Sequence, residues 1–207
     1  MASVFFDLDG TLINSQHRLY NLFIELCSEC KLTYDEYWEI KREGITQQDL
    51  LCQYYGYNLQ RCSEFKDLWL QKIEEPFRLE QDFLVDGIID VLSTVKSKHS
   101  LFLITNRQSR EYTFDEITKL GIIDYFDAVF VTEQKMGKVE LLRSVVSINQ
   151  SDVLVGDAVE DISYANKLGV ISCSVSWGVA SFSRLVSHSP QIVSSDVQEL
   201  LRFLMQI

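Results

Sequence analysis

Long apolar runs are missing from this chain: no uncharged stretch approaches the roughly 20 residues that span a bilayer, and Asp7 and Asp9 interrupt the only early hydrophobic segment. Neither a transmembrane helix nor a signal peptide is therefore expected, and the protein should be soluble. Basic residues are also scarce. The 19 Lys and Arg stand against 30 Asp and Glu, a formal net charge of −11. Such a field repels nucleic-acid phosphates and anionic lipid, so the expected partners include no nucleic acid and no membrane. Cysteine is limited to 5 residues, and an odd number leaves at least one thiol unpaired, which suits a reducing, cytoplasmic location. Cys27 and Cys30 have the gap of a metal or redox pair, but no second pair follows. Repeats and low-complexity tracts are absent. What remains is ordinary globular composition, 46% hydrophobic and 24% charged, in a chain long enough to bury a sizeable core.

The apolar run at residues 3–6 stops at an acidic, glycine-containing turn, Asp7-Leu8-Asp9-Gly10-Thr11, and reads as a buried strand feeding a functional loop. From about residue 15 to 80 the pattern is helical. Leu19, Leu22, Phe23, Leu26 and Cys30 share a face, and further helices are expected around residues 45–54 and 65–73. Beyond Asp86 helices and strands alternate, with strands expected at 101–104, 128–131, 153–155 and 171–175 and a closing helix at 197–205. Strands separated by helical crossovers, with continuous apolar runs, imply a parallel sheet covered on both faces. The expected fold is α/β, a doubly wound sheet built from residues 1–14 and 84–207, with an all-helical module at 15–83.

Ligands of such sheets bind beyond the carboxyl ends of the strands. There the sequence places Asp7, then Thr105 and Asn106, then Gly156 and Asp157, with Lys138 opening the helix before that last strand. Any one of these residues alone fits ordinary helix capping. Together they supply a nucleophile, a hydroxyl donor, a cation and a second carboxylate, a set that capping has no reason to assemble. Trp38 and Trp69, at helical spacing in the module, fit its core.

In content and order, Asp7-Leu8-Asp9-Gly10-Thr11, Thr105-Asn106, Lys138, and Gly156-Asp157 with Asp161 resemble the motifs of the haloacid dehalogenase superfamily. The tail reading Ser176-Trp177-Gly178-Val179 resembles its phosphoglycolate-phosphatase-like and β-phosphoglucomutase-like branch, and the helical module sits where that branch carries a cap domain. The resemblance implies a phosphatase working through an aspartyl-phosphate on Asp7, with Asp9 as general acid and base. It implies Mg2+ held by Asp7, the Asp9 carbonyl and Asp157, with Asp161, Gly10, Thr11 and Gly156 in support. Thr105, Asn106 and Lys138 would bind the phosphoryl group. Lys135 is a rival for the lysine role, because the branch often places proline after that lysine and this chain reads Lys135-Met136-Gly137-Lys138. Lys41-Arg42-Glu43-Gly44 resembles a substrate-specificity loop, with Arg42 available to grip a carboxylate or second phosphate; the other reading is a solvated helix end.

The partner implied is a small phosphorylated metabolite, and oligomeric state stays open. A phosphomutase of the β-phosphoglucomutase type shares the core motifs and is the alternative enzyme. A dehalogenase would not need the metal-type carboxylate Asp157, and a phosphonate hydrolase would need a Schiff-base lysine in the cap. A phospho-acceptor signalling module also joins Asp, Thr and Lys on an alternating sheet, but it places the phosphorylated aspartate after a middle strand.

Overall fold

A computed structural model describes residues 1–207 and divides the chain into two compact units, residues 1–14 with 83–207 and residues 15–82. In chain order the elements are β1 (Ser3–Phe6), β2 (Ile13–Asn14), α1 (Gln16–Leu26), α2 (Tyr34–Arg42), α3 (Gln47–Tyr55), α4 (Leu59–Lys72), α5 (Pro76–Leu79), β3 (Phe83–Leu84), α6 (Ile88–Lys96) and β4 (Ser100–Thr105). Then come α7 (Arg110–Lys119), β5 (Ala128–Val131), α8 (Lys138–Val145), β6 (Val153–Gly156), α9 (Val159–Leu168), β7 (Ile171–Val175), α10 (Phe182–Ser187), β8 (Ile192–Ser194) and α11 (Val197–Leu204).

The first unit is built on a six-stranded sheet of order β5-β4-β1-β6-β7-β8, every pairing parallel. Its central strands are apolar on both faces. Val4 and Phe6 join Leu103, Val155 and Ile88 in one core, whereas Phe5 joins Ile104, Leu154 and Leu142 in another. Burial on both sides removes the alternation of a half-exposed strand and leaves continuous hydrophobic runs. The winding reverses at β1, where the chain steps outward through β4 and β5 before returning to β6 on the other side. Crevices for ligands open at such a switch point.

The helical unit holds α1 to α5. Thr33 caps α2 by accepting from the Glu36 amide while Glu36 accepts from the Thr33 amide, the reciprocal capping box. Its interior is aromatic, with Phe23 against Tyr37 and Phe65, Trp38 edge-on to Tyr37, and Trp69 stacked on Phe65. Both tryptophans therefore serve the packing of this unit. Arg18 lies buried, its Nε donating to both oxygens of Asp82 at 3.0 and 2.9 Å. Cys27 and Cys30 are buried on separate partners, Cys30 Sγ accepting from the Tyr55 hydroxyl at 2.9 Å and Cys27 Sγ from the Tyr57 hydroxyl at 3.6 Å.

Candidate active site

Asp7 follows β1 directly, and its amide donates to the Val155 carbonyl at 2.9 Å, so the β1–β6 ladder continues one residue past the strand. The chain then folds back on itself. The carbonyl of Leu8 accepts from the amides of Leu12 and Ile13 at 3.0 and 3.1 Å, and Gly10 takes a φ of 80°, which side chains with a Cβ resist. A Cβ on Gly10 would also lie 2.1 Å from an oxygen of Asp157, so glycine is required there twice over.

Four buried charged groups meet at these strand ends. Lys138 Nζ donates to Asp7 Oδ1 at 2.7 Å and to Asp161 Oδ1 at 3.0 Å. Asp157 directly follows β6, the strand beside β1, with its Oδ2 accepting from the Val179 amide at 2.6 Å and its Oδ1 from the Thr11 hydroxyl at 3.3 Å. Ligand oxygens of Asp7, Asp157 and Asp161 fall within 4.8 Å of one another. One ammonium thus faces three carboxylates. Burial pushes the Asp7 carboxyl up to about 7 even though Lys138 pulls it down. Burial, followed by the charges of Asp7 and Asp161, likewise holds Asp157 well above the usual carboxylate range. Burial works against the charged form of Lys138, but Asp161 and Asp7 outweigh it and raise its pKa.

A second ionic cluster adjoins the first. Arg107, in the loop after β4, forks onto Asp9, its Nε donating to Oδ2 and its Nη2 to Oδ1, both at 2.8 Å. Its Nη1 donates to Glu116 of α7, a buried carboxylate. Thr105 is buried at the end of β4, and its hydroxyl accepts from the Arg107 amide at 3.4 Å; Asn106 beside it is exposed.

The structure therefore brings Asp7, Asp9, Thr105, Asn106, Lys138, Asp157 and Asp161 to the carboxyl ends of the adjacent strands β4, β1 and β6 or to the helix starts beside them. Of the two lysines, Lys138 holds Asp7 whereas Lys135 is exposed and pairs with Glu133 at 3.2 Å. Gly156 sits so close to Asp161 that a Cβ would meet its Oδ2 at 2.3 Å. Arg42 belongs to the helical unit, where it and Lys41 form the last turn of α2 and not a loop. Arg107 and Glu116 escaped the sequence, and Gly178 entered it only as part of the tail motif, without its contact to Asp157. A Cβ on Gly178 would lie 2.1 Å from Asp157 Oδ2, a proximity between residues of different loops that no local pattern records.

A doubly wound sheet with an aspartate–lysine–aspartate centre at its switch point defines an α/β protein whose ligand site lies at the strand ends. The chain belongs to the haloacid dehalogenase-like hydrolase family, whose model matches residues 4–175. It is 25% identical over 226 residues to pyrophosphatase PpaX of Bacillus mycoides, covering 99% of this chain and 97% of that protein. It is 23% identical over 234 residues to a 5'-nucleotidase of Pseudomonas aeruginosa, covering 98% and 95%. Among solved structures, a haloacid dehalogenase-like family protein from Streptococcus pneumoniae superposes with a TM-score of 0.80 at 20% identity, covering 98% of each chain. No helix of the chain is long and apolar enough to cross a membrane.

Proposed function

We propose that the chain is a Mg2+-dependent phosphatase that hydrolyses a small phosphate monoester through an aspartyl-phosphate on Asp7. The observation that carries this reading is the buried Asp7 carboxylate gripped by Lys138 at the switch point, with Asp157 and Asp161 around it. The name of the 5'-nucleotidase relative supports monoester hydrolysis, and that of the pyrophosphatase relative supports phosphoryl transfer to water more broadly, its own bond being an anhydride.

The donor set fits a hard divalent cation, because it offers only oxygen and carries two more negative than positive charges once Lys138 is set against Asp7, Asp157 and Asp161. Asp7, Asp157 and the carbonyl of Asp9 would hold it, and when bound it supplies the positive charge that lets a carboxylate approach a phosphate dianion. Asp161 is better suited to hold Lys138, since its Oδ1 takes the ammonium and its Oδ2 the Ala158 amide at 3.2 Å.

In the first step a carboxylate oxygen of Asp7 forms a bond to phosphorus while the ester P–O bond breaks, and protonated Asp9 delivers its proton to the departing oxygen. In the second, Asp9 as carboxylate takes a proton from water as the water oxygen bonds to phosphorus. The bond to Asp7 breaks and inorganic phosphate leaves. Lys138 neutralises charge shared between Asp7 and the phosphoryl group, and Thr105 and Asn106 donate to its oxygens. The helical unit is inserted between β2 and β3, just after the nucleophile loop, and the role assigned to it is that of a cap domain, with Arg42 its candidate residue for binding an anionic group.

The test is turnover of para-nitrophenyl phosphate with and without Mg2+, beside Asp7→Asn, with intact-mass detection of a phosphorylated protein in rapid-quench samples. Pyrophosphate, nucleoside 5'-monophosphates and phosphoglycolate, ranked by kcat/KM, then define the substrate class. Hydrolysis no faster than Asp7→Asn across that whole panel would overturn the reading.

A further inference from the structure

We infer that Arg107, braced by Glu116, is the positioning residue for Asp9. The inference deepens the phosphatase reading and rests on Asp9 acting as its general acid and base. Asp9 sits on a loop and is partly open to solvent, its side chain 31% exposed, so its carboxylate has room to adopt other rotamers. A general acid must hold its proton within hydrogen-bond reach of one departing oxygen, and misplacement by about 1 Å costs on the order of 100-fold.

Arg107 supplies what the loop lacks. Its guanidinium is planar, and two N–H groups meet both carboxylate oxygens of Asp9 at 2.8 Å, which fixes the carboxylate's plane as well as its distance. A lysine at 107 would contribute a point charge without fixing that plane. The arginine itself is anchored: its side chain is 3% exposed, and its remaining nitrogen donates to Glu116, 7% exposed on α7. A buried glutamate on a helix of an apolar sandwich is costly unless paired. Its location opposite Arg107 holds the far edge of the guanidinium, so that α7, a rigid element, sets the orientation of a loop carboxylate. The backbone reinforces this. The Arg107 amide donates to Thr105 Oγ1 at 3.4 Å, which ties the arginine to the strand end that carries the proposed phosphoryl-binding residues.

The test compares para-nitrophenyl phosphate, whose leaving group departs readily, with phenyl phosphate, whose poorer leaving group depends more on proton donation. The variants are Arg107→Lys, the charge-balanced pair Arg107→Gln with Glu116→Gln, Asp9→Asn, and Arg107→Lys combined with Asp9→Asn. Loss of positioning should lower kcat/KM about tenfold more on phenyl phosphate than on para-nitrophenyl phosphate, a part of the roughly 10²–10⁴-fold that a general acid contributes. Once Asp9 is Asn, adding Arg107→Lys should cost no more than about twofold, because both changes remove one contribution. Urea midpoints report folding separately, and the charge-balanced pair leaves no buried carboxylate unpaired should Arg107→Lys be unstable.

Equal losses on the two substrates, or full additivity with Asp9→Asn, overturn the positioning role and leave Arg107 a structural residue. If Asp9→Asn itself shows no greater loss on phenyl phosphate, the acid/base reading of Asp9 has failed and the inference falls with it. If Asp9→Asn does and the Arg107 variants do not, the inference fails alone.

Discussion

Gly178→Ala offers a direct test of how the site is built. Gly178 has no left-handed backbone requirement, so its need for glycine lies in contact: an added Cβ would stand 2.1 Å from Asp157 Oδ2 and 2.3 Å from Asp157 Cβ. Ordinary van der Waals contact begins near 3.4 Å, so one side must retreat by about 1.3 Å. Retreat breaks the 2.6 Å bond from the Val179 amide to Asp157 and moves a proposed metal ligand off its place. Overpacking of this kind costs about 1–3 kcal/mol of stability, and a displacement near 1 Å at a reacting centre costs about 100-fold in rate. We expect kcat/KM for para-nitrophenyl phosphate to fall about 100-fold, and the Mg2+ concentration for half-maximal activity to rise. In an Asp157→Gly background the alanine has room, so the stability cost of Gly178→Ala should shrink by at least half in urea unfolding. Activity within about threefold of the parent, or an undiminished stability cost in the Asp157→Gly background, would show that the close approach does not govern Asp157.

Four further outcomes follow from buried charges. Mg2+ at about 100 times its dissociation constant should stabilise the protein by about 2.7 kcal/mol. For a chain of this size that raises Tm by about 5–10 °C, a shift that Asp157→Ala should abolish in calorimetry. In the metal-free protein Asp7 titrates near 7 instead of its ordinary 3.8, so the folded form holds its proton more tightly than the unfolded one. Its contribution to stability is therefore complete below the lower value and lost as pH rises through the higher; urea midpoints should decline across that window, and Asp7→Asn should flatten the decline. Lys138→Met leaves the buried Asp7 and Asp161 facing each other and should cost about 3–5 kcal/mol in urea unfolding as well as most of the turnover. In the helical unit, Arg18→Leu removes the ion-pair partner of buried Asp82 and should cost about 3–5 kcal/mol, whereas Arg18→Leu with Asp82→Leu should recover much of it.

The central strands were legible because burial on both faces makes them continuous apolar runs: 101–104, 128–131, 153–155 and 171–175 agree with β4 to β7 within about two residues. The edge strand β8, Ile192–Ser194, was not, since it has three residues, ends in serine and pairs on one side only. Helix α2 fell within the stretch read as helical but was not delimited. Its tyrosines, tryptophan and charges give no clean apolar stripe, and the capping box at Thr33 and Glu36 was its readable signal. At the site, the strand-end residues were readable because each follows an apolar run in sequence. Gly178 meets Asp157 only through the fold, and Arg107 meets Asp9 across two neighbouring loops, so neither contact leaves a local pattern.

The two ionic clusters at these strand ends differ in the balance of charge, and that difference fits the division of labour proposed for two aspartates separated by one residue. Around Asp7, Lys138 faces three carboxylates in a buried setting, and burial with mutual repulsion holds Asp7 and Asp157 far above their ordinary pKa. Added positive charge is therefore stabilising there, which suits a centre proposed to accept a cation and then a phosphoryl group. Around Asp9, the guanidinium meets the carboxylate with two matched bonds and is itself fixed by Glu116. Added positive charge has less to gain, and geometry is what the cluster provides. The first arrangement suits the proposed nucleophile, whose charge would depend on what binds, and the second the proposed proton carrier, whose place would not. Substitutions around Asp7 should accordingly change Mg2+ dependence on every substrate, whereas those at Arg107 should leave Mg2+ dependence unchanged and follow the leaving group.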